Sequence, residues 1–179
     1  MRKFYFLSCL AIIPFLHSCT EGNVSPEASL EGSWKTQSIE YNMDYTDESP
    51  STGSVDYSSE NAVLSFNADG SFTSNVESNE LNETGVIPGK KGTYSVNGNE
   101  LTLNYSQDEY NFQIFYTYKV ENGDLYLSLD KALYIKTLRA QLQAQAELFA
   151  FLGLTVDEVI TELENSLEIF EVKVKLTKV

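Results

Sequence analysis

The sequence predicts a mainly β fold: an antiparallel, eight-stranded, up-and-down barrel with a helical hairpin inserted before the last strand. Three observations predict it. Short segments rich in β-branched and aromatic residues alternate between apolar and polar along most of the chain. Tight-turn signals join consecutive segments, and a single stretch of helical periodicity interrupts them near the C-terminal end. The strands fall at about 33–43, 62–67, 71–77, 92–97, 101–106, 110–120, 124–129 and 169–178. Asn67-Ala68-Asp69-Gly70, Asn97-Gly98-Asn99 and Asn122-Gly123-Asp124 supply residues that tolerate the positive φ of tight turns, which favours a meander. Eight such strands close most economically into a barrel, because closure removes both exposed edges.

Two segments break the meander. Residues 44–61, rich in Asp, Glu, Ser, Thr and Tyr with Pro50 and Gly53, read as a long polar loop after the first strand. Residues 131–168 read as helical. Ile135, Leu138, Leu142, Ala146, Phe149 and Leu152 recur on one face up to Gly153. Thr155-x-x-Glu158 has the form of a capping box, opening a second helix with Val156, Val159, Ile160, Leu163 and Leu167 on its apolar side. The last strand alternates strictly, with Phe170, Val172, Val174 and Leu176 facing in.

The N-terminal segment is an address. Basic Met1-Arg2-Lys3 precedes the apolar run Phe4 to Leu16, too short for a transmembrane helix, which needs about 20 residues. Leu16-His17-Ser18-Cys19 then resembles a bacterial lipobox. That resemblance implies cleavage before Cys19, a diacylglycerol on its sulfur and a palmitate-type acyl chain on its amine. The alternative is an ordinary secretory signal with a chance cysteine. Residues 1–18 are thus the expected signal peptide, 19–29 the lipidated cysteine and a flexible tether, and 30–179 one barrel domain containing the helical segment 131–168. Thr20, and not Asp, follows the cysteine. By resemblance to lipoprotein sorting rules, this points to a lipid anchor at the outer membrane.

Removing 18 of 179 residues leaves 161, and with them go Cys9 and His17, Arg2 and Lys3. The remainder has no histidine, and its single cysteine is the lipidation site. Within that mature chain His- or Cys-based catalysis is excluded, as are zinc or iron sites with such ligands, so the expectation is a protein that is not an enzyme. No metal or cofactor is expected. Net charge moves from −14 to near −16, which argues against nucleic-acid partners. The carboxylates of loop 44–61 serve either as a solvated surface or as oxygen ligands for calcium.

Leu30-Glu31-Gly32-Ser33-Trp34 resembles the Gly-x-Trp opening of lipocalins. Phe66-Asn67-Ala68-Asp69-Gly70-Ser71-Phe72, Gly92-Thr93-Tyr94-Ser95-Val96, Leu101-Thr102-Leu103, Tyr118-Lys119-Val120 and Gly123-Asp124-Leu125 are similar to elements of lipocalin-like domains in bacterial envelope lipoproteins. The resemblance implies a ligand-binding or accessory role. The chain departs from lipocalins in placing helices before the last strand. It also offers only Lys173, Lys175 and Lys178 where a late-strand arginine commonly stacks over the tryptophan.

Trp34 is then either a plug closing one barrel end or a ligand-stacking ring. The aromatic-rich second half has a similar choice. If the barrel is hollow, Tyr105, Phe112, Ile114, Tyr116, Tyr118 and Tyr126 line a site for a small apolar or aromatic ligand, with Phe149 and Leu152 of the helices over its mouth. If those residues fill the barrel, the protein is a non-catalytic interaction module of an envelope complex.

Overall fold

A computed structural model describes residues 29–76, 87, 91–107 and 110–179. The expected signal peptide, Cys19 and most of the tether lie outside the described residues, as does the end of the expected strand 71–77. The strands are β1 (Gly32–Tyr45), β2 (Ser51–Asp56), β3 (Val63–Phe66), β4 (Ser71–Ser74), β5 (Lys91–Asn97), β6 (Glu100–Gln107), β7 (Tyr110–Glu121), β8 (Asp124–Asp130) and β9 (Leu167–Lys178). The helices α1 (Lys131–Ala144), α2 (Ala146–Phe151) and α3 (Val156–Ser166) sit between β8 and β9.

Every strand pair is antiparallel, in the order β1-β3-β4-β5-β6-β7-β8-β9, and β9 returns to pair with β1 from Trp34↔Lys178 to Tyr45↔Leu167. This is the eight-stranded closed barrel with helices before the final strand that the alternation predicts. Gly70, Gly98 and Gly123 all take positive φ at the hairpin turns.

Three local features differ from expectation. Residues 44–61 are not simply a loop, because β2 lies within them and pairs with the far half of β1 from Ser38↔Asp56 to Met43↔Ser51. All six β2 residues are exposed, so the strand carries no buried face and leaves no apolar alternation to read. Gly53 leaves room there for the Tyr41 ring. A Cβ at this position would stand 2.5 Å from the Tyr41 hydroxyl, which lies across its backbone. Second, β1 contains an irregularity between Thr36 and Ser38. The extra residue reverses the alternation, so that Trp34 and Thr36, then Ile39, Tyr41 and Met43, all join the inner side.

Third, the expected hairpin is three helices. α1 packs on β7, β8 and β9, but the helical run breaks at Gln145 and the short α2 buries no side chain. On either side of the break, Leu142 and Phe149 pack on a small core shared with α3 and not on the barrel. The expected capping box is present: Thr155 Oγ1 accepts from the Glu158 N–H, and the Glu158 carboxylate accepts from the Thr155 N–H at 2.8 Å. Where the β7–β8 ladder ends at Thr117↔Ser128, the buried Thr137 hydroxyl of α1 accepts from the Phe115 N–H at 3.1 Å instead. Lys136 then lies 3.9 Å over the Phe115 ring and bonds Glu100 at 2.7 Å, fixing α1 against the outer face of the barrel.

At the seam end of β8, Asp124 accepts from Lys175 at 2.9 Å and from the Thr177 hydroxyl at 2.8 Å. The bonds from Lys175 and Thr177 hold its carboxyl below the usual carboxylate range. The folded-state value lies below the unfolded one, so this contribution is present above about pH 4 and is lost as pH falls through the folded value. Asp124→Asn is therefore expected to lower the melting temperature at pH 7, with the difference from wild type shrinking near pH 3. A difference that stays constant across that range would show that the carboxylate's charge contributes nothing.

Candidate functional site

The barrel interior is packed with large side chains. Trp34, Leu64, Phe66, Phe72, Leu101 and Leu103 are all at most 2% exposed, and Ile114, Tyr116, Leu125 and Leu127 meet them from the opposite strands. Trp34 plugs the end where β1 begins: its Nε1–H donates to the Leu30 carbonyl at 2.7 Å. Lys178 of β9 stands 5.4 Å from the centre of the Trp34 ring, the place the sequence comparison with lipocalins gives to a late-strand arginine. At the other end, Tyr134 of α1 stacks on Phe170 of β9 at 3.8 Å and 8° between planes, so the first turn of α1 covers that part of the mouth.

The residues expected to line a ligand site are only partly together. Ile114 and Tyr116 are fully buried in the core, and Tyr118 is half-buried against it. Tyr105 and Phe112 are opposed across β6 and β7 with ring centres 5.6 Å apart, half-buried beside the β6–β7 turn. Tyr126 alternates with the core residues Leu125 and Leu127, and so stands on the outer face, between Lys119 and Lys175. Phe149 belongs to a second, small core that Ile135, Val156 and Ile160 form between the helices. Leu152 is 61% exposed and Phe151 87%, at the tip of the helical segment.

Burial pushes the Tyr116 hydroxyl well above an ordinary tyrosine, and neighbouring Tyr105 pushes it the same way. Tyr105 and Tyr134 are raised by burial as well. These phenols stay neutral at physiological pH and act as hydrogen-bonding groups, not as bases. Among the described residues, the buried Thr36 Oγ1 has no hydrogen-bond partner.

Two grooves lie on the outside. One, of about 630 Å³, runs over β1, β2, β8 and β9 between charged side chains, among them Glu40, Asp130, Glu171 and Lys173. The other, of about 1160 Å³, runs over β4 to β7 and is walled by Ala140 of α1. Ser71, Thr93, Asn104 and Gln113 are successive partners across its four strands. They alternate with Phe72, Tyr94, Leu103 and Ile114 of the core, which puts them on the outer face. Sequence reasoning passed over this row, since uncharged polar residues at alternate strand positions are the ordinary signature of a solvated face.

A family model described as a lipocalin-like domain matches residues 30–127, more than half of the 179-residue chain. The chain belongs to the lipocalin-like domain family. Searches of curated proteins and of solved structures returned no match. In this lipocalin-like domain the matched residues run from the Leu30–Trp34 plug to Leu127 in β8. The helices and the closing strand β9 lie beyond the matched residues. Barrels of this family commonly bind small hydrophobic ligands and are typically non-catalytic.

Proposed function

We propose that the protein is a lipid-anchored, non-catalytic component of the bacterial envelope, held at the outer membrane through Cys19, whose filled barrel serves as an interaction module. The observation that carries this reading is the packing of the interior: ten large side chains at most 2% exposed occupy the space a carrier would leave for cargo. The anchor is supported by the lipobox-like Leu16-His17-Ser18-Cys19. Partners are then an envelope protein or other envelope component, met on the outer surface.

A second reading keeps the small apolar or aromatic ligand inside the barrel. It is favoured by family membership and by the half-buried Tyr41, Met43, Tyr45 and Tyr105, side chains able to move aside near the mouth. Native mass spectrometry of the full-length protein, extracted from its own envelope in a mild detergent, separates the two. The filled module gives a chain beginning at Cys19 with a diacylglycerol on its sulfur and an acyl chain on its amine, and nothing more. A reproducible extra mass of a few hundred daltons, lost on unfolding, would sink the filled module and identify the cargo class.

A further inference from the structure

We infer that the tip of the helical segment, Leu148 to Leu154, inserts into the interface of a lipid bilayer with neutral head groups. This deepens the envelope reading proposed above and rests on it for the anchor at Cys19; the apolar tip itself does not depend on that cysteine.

Among the described residues, large apolar side chains left exposed on the strands, such as Val55, Val96 and Ile169, are scattered singly, as on any protein surface. At the tip they are gathered. Leu148 is 50% exposed, Phe151 87%, Leu152 61% and Leu154 45%, all within seven consecutive residues. Leu148-Phe149-Ala150-Phe151-Leu152-Gly153-Leu154 holds no polar side chain. Phe149 packs on the small core of Ile135, Val156 and Ile160, so the tip is held from behind while its front is bare. Where α2 ends, the N–H groups of Leu152 and Leu154 both donate to the Phe149 carbonyl at 3.0 Å, and that of Gly153 donates to Ala150 at 3.1 Å. Gly153 closes this turn at a φ of +75°. Donors paired in this way need no water, which suits a segment that leaves it.

Area, charge and reach favour a bilayer over a protein partner. The four exposures amount to fewer than two and a half whole residues. That is on the order of 500 Å², short of the roughly 800 Å² per partner of a standard protein interface. A fluid bilayer needs no matched surface, and apolar anchors of this size enter it to about 5–10 Å. The flanks are acidic: Glu147 precedes the tip, Asp157 and Glu158 follow it, and residues 144–158 contain no base. Arg139, the nearest base before them, is bonded to Asp157. Anionic lipid is repelled by such a collar, and zwitterionic lipid is not. Finally, Cys19 stands eleven residues before Leu30. A chain of that length spans at most about 40 Å, so a lipid on Cys19 keeps the domain beside the membrane and the tip at high effective concentration near it.

The test places the full-length lipidated protein in phosphatidylcholine vesicles, with an environment-sensitive fluorophore on Leu152→Cys. The label is unique once the acyl mass is confirmed, because Cys9 leaves with the signal and the Cys19 sulfur carries lipid. Thr52→Cys on the exposed strand β2 reports the barrel wall. The label at 152 is expected to shift to the blue and to be quenched by brominated acyl chains, while that at 52 stays aqueous. Adding Phe151→Asp, a surface change that leaves the melting curve in place, is expected to lower the insertion equilibrium tenfold or more, about the burial of one such ring. Phosphatidylglycerol at low salt is expected to weaken insertion, and added salt to restore it. A label at 152 that stays in water on floated vesicles overturns the inference and leaves the anchor standing. A blue shift that bromine does not quench, growing with protein concentration, means that a second copy covers the tip and overturns it as well. Protein without acyl mass sinks the anchor instead, and flotation with excess vesicles then decides the tip. Wild type floating where Phe151→Asp does not keeps the inference; neither floating ends it.

Discussion

Tyr116→Ala is expected to destabilise the protein by roughly 3–5 kcal/mol, the cost of emptying a large aromatic site in a closed core. Tyr116 has no exposed surface, and its ring stands among Leu101, Ile114 and Leu127 in the middle of the barrel. Domains of this size are stable by only about 5–15 kcal/mol, so the variant should lose a large share of its stability. Tyr116→Phe keeps the ring and should lose far less. Urea unfolding of the three proteins checks this. The same pair bears on function, because a hollow barrel would tolerate the alanine: a Tyr116→Ala protein with a near wild-type midpoint means that the interior is not packed around this ring.

The second large effect is expected at Gly92. A Cβ there would lie 1.9 Å from the Asn104 carbonyl oxygen and 2.8 Å from the Phe72 ring, with Asn104 held in the β5–β6 ladder. Backbone cannot give way as a flexible side chain does. Gly92→Ala is expected at or beyond the upper end of the ~1–3 kcal/mol that overpacking usually costs. It should also disturb the Ser71–Thr93–Asn104–Gln113 row, since both its inner members sit beside the clash. Loss of amide-exchange protection in β5 and β6 ahead of β8 and β9 is the expected signature. Uniform loss across all strands would place the strain elsewhere.

How much of this was legible depends on whether a feature leaves a periodic trace. The eight barrel strands did, because each has one buried face, and β9 with its strict Phe170 to Leu176 alternation is the clearest case. The capping box at Thr155 was legible for a related reason: it satisfies local N–H groups and needs no distant partner. β2 was hidden because a strand exposed on both faces has no pattern, only a partner. The break at Gln145 was hidden because heptad-like spacing continues through it, from Leu142 to Phe149, while the barrel surface does not.

For the site, sequence could mark Tyr105 and Phe112 as aromatic neighbours but could not tell inside from outside at Tyr126. Nor could it show the reversal of alternation at Gln37 in β1. The row from Ser71 to Gln113 is a relation between four strands. It becomes visible only once their registers are known.

The pairing of β1 with β9 also governs how the chain reaches its native state. Trp34 lies beside Lys178, so the ladder that seals the barrel joins the beginning of the domain to its end. Hairpins from β3 to β8 form between neighbours in sequence, but this contact must close a loop spanning nearly the whole domain, and its entropy is lost before the contact returns anything. Assembly is therefore sequential, with the meander first and the seam last. A chain emerging N-terminus first has β1 waiting, one edge unpaired, until Leu167–Lys178 arrives. A chain of this kind closes into a barrel only when its final strand is free to pair.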